Sequence, residues 1–312
     1  MKIWGAGMAG LLAGCIFQNA RIYERGLEGS TQHRALLRFR TPRVGEATGI
    51  EFKRVRVHKD LFADGNFVLP SIRLANLYSQ KVVGRLCDRS IWQLEPVDRY
   101  IAPDDFLDQL AARCAGRIEW GHRISRDDII ENDAPVISTL PMAAMLDFTK
   151  EFSRLEPEWK AKWEAMQTGE RLFQHERIAV RRWRIPKSDV YQTIYFPSPD
   201  TNLYRASITG DLLIAEYMHV ADEYDFFEAF GIGRTGLVEL ERVHQGFGKI
   251  APIDDAWRKE FIFELTSRYK IYSLGRFGTW RNLLLDDVLT DIGVLKKMIG
   301  ASAYDRSIVA AR

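Results

Sequence analysis

The chain has 312 residues, of which 46% are hydrophobic and 28% charged, and its formal net charge is +2. This is the composition of an ordinary globular protein with one large domain or two interleaved ones, and the near-neutral charge gives no general argument for nucleic-acid binding. Cys15, Cys87 and Cys114 form no CxxC motif, which excludes a zinc ribbon, a disulfide framework and a sequence-visible redox disulfide and favours a reducing, cytoplasmic setting. No run reaches the roughly 18 apolar residues of a membrane span, and we expect no signal peptide.

The first 25 residues predict a β-α-β unit. KIWG is a short apolar strand that ends in glycine, AGLLAGCIF has helical spacing, and ARIYER is a second strand that ends at Glu24 and Arg25. This order of elements is the start of a doubly wound sheet.

The turn between the first strand and the helix carries a GxGxxG pattern formed by Gly5, Gly7 and Gly10. Gly5 permits the tight turn, Gly7 lets the backbone approach a pyrophosphate, and Gly10 lets the helix pack on the strand. Glu24 ends the second strand, where a carboxylate accepts hydrogen bonds from the ribose of a dinucleotide. The pattern predicts a dinucleotide site whose phosphates lie at the helix N-terminus; the alternative is a glycine-rich turn in an ordinary α/β protein.

The middle of the chain is less regular. Residues 26–95 contain turn signals and little periodicity, whereas APDDFLDQLAAR predicts a helix with an acidic first turn and a final arginine. RIEWGHRI predicts a strand or tight pair, APVISTLP a buried strand, and EFSRLEPEWKAKWEAM an amphipathic helix. The Asp-Asp pairs at 104–105, 127–128 and 254–255 are typical of helix starts and turns.

The second half predicts a β-meander and a final strand–loop–helix. VYQTIYFPSPDTNLYRASITGDLLIAEYM alternates polar and apolar residues around a turn at 197–202, and YSLGRFGTWRNLLLDDVLTDIGVLKKMI is a strand, a glycine-bearing loop and a helix. A second GxGxxG match at Gly231, Gly233 and Gly236 follows an acidic, helical stretch rather than an apolar strand. We therefore predict a loop or helix cap there, and no second dinucleotide domain for NAD(P)H.

Three stretches carry a resemblance to a known superfamily. KIWGAGMAGLLAG…IYER, VISTLP and GRFGTWRNLLLDDV together resemble the FAD-dependent amine oxidases and UDP-galactopyranose mutases. The resemblance implies an α/β fold: a Rossmann-like FAD-binding domain of residues 1–50, 96–150 and 270–312, and an interleaved β-sheet substrate domain of residues 51–95 and 151–269. The chain departs from that pattern after Arg25, where GLEGSTQHRALLRFR replaces the usual glycine pair. It also resembles small bacteriophage flavoproteins, some of which act in thymine hypermodification.

The resemblance assigns cofactor roles position by position. It implies that the ADP half of FAD is held by Gly5, Gly7, Met8, Ala9, Gly10, Glu24 and Arg25. Ile124 stands where a backbone pair meets the adenine, and Thr139 where the chain passes the cofactor. Gly275, Arg276, Asp286 and Asp287 match the late loop that covers the flavin.

Four residues are candidates for the substrate side, since the resemblance implies that the β-sheet domain covers the flavin. Tyr195 and Arg205 lie on neighbouring strands of the predicted meander, and the alternative for them is ordinary packing and a surface cation. Lys249, beside two glycines in HQGFGKI, is predicted in a loop at the flavin rim, where lysines of amine oxidases hold a water. His244, predicted in the same loop, is a candidate general base or a structural histidine. The histidines lack metal-ligand spacing, so we predict no metal.

Two runs are basic. HRALLRFRTPR contains Arg34, Arg38, Arg40 and Arg43, and RIAVRRWRIPK contains Arg177, Arg181, Arg182, Arg184 and Lys187. Arginines interleaved with Phe39 and Trp183 suit phosphate contacts and base stacking, whereas the same spacing suits a solvated strand or helix face. The two runs favour a phosphorylated substrate or DNA.

The leading functional hypothesis is an FAD-dependent oxidase that acts on a C–N bond of an amine or amino-acid group, for which an aminoacylated thymine nucleotide in DNA is the preferred substrate. The first alternative is a UDP-galactopyranose mutase-like enzyme, in which reduced flavin attacks a nucleotide sugar without net redox. The second is a non-catalytic FAD-binding protein.

Overall fold

The computed structural model describes residues 1–29, 37–86, 90–149, 172–233 and 237–310. It divides into two units. The first comprises Met1–Lys53, Tyr100–Phe173 and Pro252–Arg312, and the second comprises Arg54–Arg99 and Gln174–Ala251. The chain therefore passes between the units several times, and each unit is assembled from distant segments.

The first unit is built on a parallel sheet. Its elements are β1 (Lys2–Trp4), α1 (Met8–Ile16), β2 (Arg21–Glu24), β3 (Arg38–Phe39), α2 (Arg43–Thr48), α4 (Phe106–Arg113), β7 (Ile118–Trp120), α5 (Arg126–Ile130), β8 (Val136–Ser138), α6 (Met142–Thr149), α7 (Asp255–Tyr269), β14 (Ile271–Ser273), α8 (Gly275–Gly278) and α9 (Leu285–Ala310). The sheet has the order β14-β8-β1-β2-β7, and every pairing in it is parallel. The carboxyl ends of these strands consequently lie along one edge, which is where open α/β sheets bind ligands.

Helix α1 fixes the central strands. Leu11 and Leu12 on α1 are buried in one hydrophobic cluster with Ile3 of β1 and Ile22 of β2. The last turn of α1 has no basic side chain of its own. Arg117 supplies the missing donors, since its Nη1 donates to the carbonyls of Gly14, Phe17 and Ala20 at 3.1–3.3 Å.

The predicted elements of this unit are confirmed where the structure describes them. Strands β1, β2, β7 and β8 and helix α1 lie where the sequence predicts them, and α4 begins only at Phe106, after a turn that starts at Pro103. The amphipathic helix predicted for residues 151–166 lies outside the described residues.

Helix α7 belongs to the first unit, although we placed residues 252–269 with the substrate domain. Its start matches the prediction for an Asp-Asp pair, because Asp254 accepts a hydrogen bond from the Trp257 backbone at 2.7 Å. The buried side chains of α7 recur every four residues, at Trp257, Phe261, Leu265 and Tyr269. The helix contacts β14, which it directly precedes, and this contact ties the segment to the parallel sheet.

The second unit is a mostly antiparallel sheet with one long helix. Its elements are β4 (Lys53–Ala63), β5 (Asn66–Val68), α3 (Ile72–Val83), β6 (Val97–Ile101), β9 (His175–Arg184), β10 (Tyr191–Tyr195), β11 (Leu203–Thr209), β12 (Leu212–Met218) and β13 (Val238–Ile250), with short 3-10 helices at Ser90–Trp92 and Glu228–Phe230. The strands follow the order β13-β9-β12-β11-β10-β4-β6. The predicted meander is confirmed as β10, β11 and β12, which pair antiparallel in sequence order.

Helix α3 is attached to the meander by the half-buried side chain of Lys81. The Lys81 Nζ donates to the carbonyls of Phe196, Ser198 and Leu203 at 2.9, 2.7 and 2.6 Å. Burial lowers the pKa of Lys81 to about 8, against the opposing attraction of Asp222 and Asp200. The three hydrogen bonds order the turn between β10 and β11.

We expect Lys81→Met to lower the free energy of unfolding by about 1–3 kcal/mol, because three backbone carbonyls lose their donor. Because the pKa of folded Lys81 lies below its ordinary value of 10.5, folding releases a proton and wild-type stability gains a contribution as the pH rises from about 8 to 10.5. Urea unfolding across this window measures both effects. Arg73→Met, at an exposed position of the same helix, is the control. A variant as stable as this control would contradict the assignment.

No helix in the described ranges has the length and apolar character needed to cross a bilayer.

Candidate functional site

Only glycine fits at two positions of the glycine turn, Gly5 and Gly10. Gly5 has a φ of +95°, in the left-handed region, and its amide donates to the Tyr23 carbonyl at 2.8 Å. A Cβ atom on Gly10 would lie 1.9 Å from the Gly5 carbonyl oxygen. Helix α1 can therefore follow β1 this closely only because residue 10 has no side chain.

Gly7 is different, because its surroundings are open. A Cβ atom on Gly7 would find no atom within 4 Å, and the residue has an ordinary extended backbone with a φ of −71°. Gly7 is the N-cap of α1, whose first turn carries no acidic residue and receives no side-chain cap. The space beside Gly7 and the amides of Met8 and Ala9 thus form a cradle suited to an anion.

Glu24 connects the second strand to this turn. Its Oε2 accepts from the Ala6 amide at 2.7 Å, and its Oε1 accepts from the Gly26 amide at 2.9 Å. Each carboxylate oxygen retains a further lone pair for a hydroxyl donor. The carboxylate is therefore fixed beside the turn, and the neighbouring Arg25 is exposed.

We expect Glu24→Ala to destabilise the protein by about 1–3 kcal/mol, because the amides of Ala6 and Gly26 both lose their acceptor. Chemical unfolding of the protein without cofactor measures this loss. Glu28→Ala, at an exposed position four residues after Glu24, should change stability by less than about 0.5 kcal/mol. Equal stability of the two variants would show that the Glu24 hydrogen bonds do not hold the turn.

Thr139 closes the turn from the side of β8. Its amide and its Oγ1 both donate to the Trp4 carbonyl, at 2.9 and 2.8 Å. A Cβ atom on Gly5 would collide with this hydroxyl. Ile124, the predicted adenine neighbour, is buried in the segment that follows β7.

The late loop reaches the same helix turn. Gly275 has a φ of +82°, and a Cβ atom there would lie 2.8 Å from the Cβ of Ala9. The Leu274 amide donates to the Ser138 carbonyl at 2.8 Å, which joins the loop to β8. Two stretches some 265 residues apart in the chain, which the sequence singled out separately, therefore meet at one place. The Arg276 guanidinium lies 5.2 Å from the centroid of the Phe277 ring.

The carboxylates of Asp286 and Asp287 form hydrogen bonds and an ion pair with other residues of the protein. Asp286 accepts from the amide and the hydroxyl of Thr41, each at 3.1 Å. Asp287 pairs with Arg40 and accepts from the Leu284 amide at 2.9 Å. Both carboxylates lie in the first turn of α9, where the helix dipole favours negative charge. Their observed contacts connect α9 to residues 40–41, whereas the resemblance implies a role at the flavin.

A second cluster lies in the other unit, on one face of the meander. Tyr195 is directly opposite Arg205, which is directly opposite Glu216, as the prediction of neighbouring strands requires. The Arg205 Nη2 donates to the Glu216 Oε1 at 2.7 Å, and the Arg205 Nε bonds the other carboxylate oxygen. The Tyr204 hydroxyl donates to the Glu216 Oε1 at 3.0 Å. A register shift between Leu203 and Arg205 makes Tyr204 a bulge residue and turns it toward the same carboxylate.

Lys249 and Tyr78 complete this cluster. The Lys249 Nζ lies 4.6 Å from the centroid of the Tyr204 ring. The Tyr78 ring of α3 contacts the rings of Tyr195 and Tyr204 at centroid distances of 5.6 and 6.5 Å. The cluster thus brings two cations, one carboxylate and three aromatic rings together.

The ionisation of the cluster follows from its partners. Burial alone would raise the pKa of the Glu216 carboxyl, but Arg205, Lys249 and the Tyr204 hydrogen bond outweigh burial and lower it. Burial also raises the pKa of Tyr204 well above its ordinary value. Glu216 is thus a carboxylate and Tyr204 a neutral hydrogen-bond donor at neutral pH.

His244 does not join the cluster, and the loop predicted around it is wrong. His244 and Lys249 both lie in β13, whose two glycines coincide with a register irregularity that hides the strand pattern in the sequence. His244 pairs with Ala179 and Lys249 with Glu176, which are on opposite faces of β9, and His244 is exposed. Sequence reasoning also missed Glu216, although a single acid within the apolar strand LLIAEYM was a usable signal.

The second basic run is largely neutralised. Arg181 binds both oxygens of Glu239 at 3.0 and 3.1 Å, Arg182 binds Glu241 at 2.6 Å, and Arg184 pairs with Asp211. These carboxylates come from neighbouring strands or turns, which the local sequence could not show. Arg40 of the first run is paired as described above, and Arg34 lies outside the described residues.

Two remaining predictions concern a glycine pattern and metals. Gly231 is the left-handed C-cap of the 3-10 helix Glu228–Phe230, which confirms the predicted cap; Gly236 lies outside the described residues. Within the part of the chain that the structure describes, no three His, Cys, Asp or Glu side chains are grouped as metal ligands.

No protein-family profile matches the chain, and no curated protein matches it significantly. Among solved structures it is similar to reduced UDP-galactopyranose mutase, with a TM-score of 0.61 and 12% identity over 96% of this chain and 93% of that one. It is also similar to an oxidoreductase from Methanosarcina mazei (TM-score 0.49, 14% identity, 79% and 88% covered) and to a protein from Pyrococcus furiosus (0.48, 10%, 93% and 95%). The likeness to the mutase confirms the predicted fold, a Rossmann-like α/β domain with an interleaved β-sheet domain.

Proposed function

We propose that the chain is an FAD-dependent oxidoreductase that binds the ADP half of FAD at the glycine turn. The observation that carries this proposal is the open cradle at Gly7, beside an uncapped helix N-terminus and the fixed carboxylate of Glu24. The amides of Met8 and Ala9 would bind the diphosphate, and Glu24 would accept from the ribose. Thr139, Ile124 and Gly275 would line the rest of the site.

The finer proposal is oxidation of a C–N bond in an amine or amino-acid group. When bound, FAD supplies the acceptor for a hydride from the C–H bond beside the nitrogen. Arg205 and Lys249 offer positive charge to a carboxylate or phosphate of the substrate, and the rings of Tyr78 and Tyr195 offer flat apolar contact. A thymine nucleotide that carries an amino acid combines these features, and DNA that contains it is the corresponding macromolecular substrate.

The test is the visible spectrum of the purified protein, recorded without oxygen before and after candidate substrates are added. We expect a flavin spectrum that bleaches with an aminoacylated thymine nucleotide, whether free or within an oligonucleotide, and not with thymidine monophosphate. A protein that stays colourless when FAD is supplied would contradict FAD binding. Bound flavin that no amine-bearing nucleotide or amino acid bleaches would contradict the oxidase and favour a non-catalytic FAD-binding protein or the second candidate.

The second candidate is mutase-type chemistry on a nucleotide sugar, which the similarity to UDP-galactopyranose mutase favours. There Arg205 and Lys249 would bind the diphosphate of the substrate. This function requires the flavin to be reduced beforehand and consumes no electrons. Turnover of UDP-galactopyranose only after dithionite reduction, with no bleaching by amines, would support it over the oxidase.

A further inference from the structure

Two cysteines that are distant in the sequence meet in the first unit. Cys15 lies on α1 and Cys114 directly follows α4, and their Sγ atoms are 3.9 Å apart. Both are free thiols. The sequence predicts no redox disulfide because no two cysteines are close along the chain, and this proximity arises only when α4 packs on α1.

The packing around the two thiols is specific. A Cβ atom on Gly14 would lie 2.9 Å from the Cys114 Sγ, so the glycine leaves the space that this thiol fills. The Cys114 Sγ donates to the Leu11 carbonyl at 3.6 Å, and the Cys15 Sγ lies 3.9 Å from the Leu110 carbonyl. Cys114 is buried, whereas Cys15 is partly exposed and leaves a small oxidant a route to the pair.

The surroundings make Cys114 the more acidic of the two thiols. A hydrogen bond from Cys15 and the nearby Arg117 guanidinium lower the pKa of Cys114, while the same hydrogen bond and burial raise the pKa of Cys15. A thiolate is the nucleophilic form of cysteine. Cys114 is therefore the thiol that ionises first, and Cys15 lies in contact with it as a resolving thiol, the arrangement that produces a disulfide rather than a higher oxide.

We propose that Cys15 and Cys114 are an oxidative modification site that closes an intramolecular disulfide when the protein meets a hydroperoxide. The Cys114 thiolate attacks one oxygen of hydrogen peroxide and becomes a sulfenic acid, and the departing hydroxide takes up the Cys15 proton to leave as water. The Cys15 sulfur then displaces the sulfenic hydroxyl, which leaves as a second water with a proton from solvent. In sum two thiols and one peroxide give one disulfide and two waters. The sulfurs must approach from 3.9 Å to about 2.0 Å.

The disulfide would join the C-terminal part of α1 to the end of α4. Helix α1 carries the glycine turn at its other end, so the modification would restrain the helix that we assign to FAD. The inference rests on the geometry and surroundings of the two thiols and stands whether or not the proposed function is correct.

The experiment uses the full chain with Cys87→Ser, which removes the third thiol from every sample. After treatment with hydrogen peroxide and digestion without reductant, we expect one peptide pair joined through Cys15 and Cys114. We also expect an intact mass lower by two hydrogens and a melting temperature several degrees higher, both reversed by dithiothreitol. Cys15→Ser and Cys114→Ser, made in the same background, should show neither the joined peptides nor the reversible shift.

Three results would overturn the proposal. One is recovery of both cysteines as thiols after peroxide treatment that oxidises a free cysteine peptide fully. Another is sulfinic or sulfonic acid at Cys15 without the joined peptides. The last is a disulfide that links two protein chains, which gel filtration in denaturant without reductant would show.

Discussion

Gly7→Ala is expected to leave the protein without cofactor as stable as wild type while it sharply reduces FAD retention, and Gly10→Ala is expected to disrupt the fold of the turn itself. The two residues differ in their surroundings. A methyl group on Gly7 meets open space, whereas one on Gly10 would lie 1.9 Å from the Gly5 carbonyl oxygen. We estimate a loss of about 3 kcal/mol for Gly10→Ala, the upper end of the usual range for overpacking, because the clash is with backbone.

Urea unfolding without FAD and the absorbance ratio of flavin to protein after FAD loading separate the two effects. The expected pattern is a normal midpoint with at least a tenfold weaker FAD affinity for Gly7→Ala, which corresponds to about 1.4 kcal/mol. Gly293→Ala, on α9 with open space around the residue, is the control for FAD affinity. Unchanged FAD affinity in Gly7→Ala would place the diphosphate elsewhere.

Arg205→Met is expected to lower the free energy of unfolding by about 2–4 kcal/mol, because the Glu216 carboxylate would lose its bidentate partner. The lower part of this range is the better expectation, since 37% of the Arg205 side chain is exposed and water can replace part of the lost interaction. Glu216→Leu combined with Arg205→Met should recover much of the loss, since no unpaired charge then remains. Arg184→Met removes one partner of a more exposed pair, with Asp211, and should cost less than about 1 kcal/mol.

The same pair predicts a pH dependence. The pKa of Glu216 is lower in the folded protein than its ordinary value of 4.5, so the contribution of the carboxylate is complete above that value and is lost as the pH falls below it. The Arg205→Met and Glu216→Leu double variant should therefore lose less stability than wild type between pH 5 and about pH 3. Parallel pH profiles for the two proteins would contradict the ion pair, as would a double variant less stable than Arg205→Met alone.

The sequence by itself determined the elements whose pattern is local. The first 24 residues contain strands β1 and β2, helix α1, the three glycines of the turn and Glu24. Their spacing is readable because each residue type meets a requirement of the nearby backbone. The meander was equally readable, because alternation along each strand reflects one buried face. Strand β13 was not predicted from alternation, because Gly246 and Gly248 interrupt the pattern where the register shifts.

Only the tertiary structure decided which side chains meet. Arg205 pairs with Glu216, and Arg181 pairs with Glu239, because the register of strands that are separate in the sequence places them side by side. Cys15 approaches Cys114 only because α4 packs on α1. Side-chain chemistry gives each residue its capacity to bind, but the partner depends on packing between segments far apart in the chain, and no spacing along the chain encodes it.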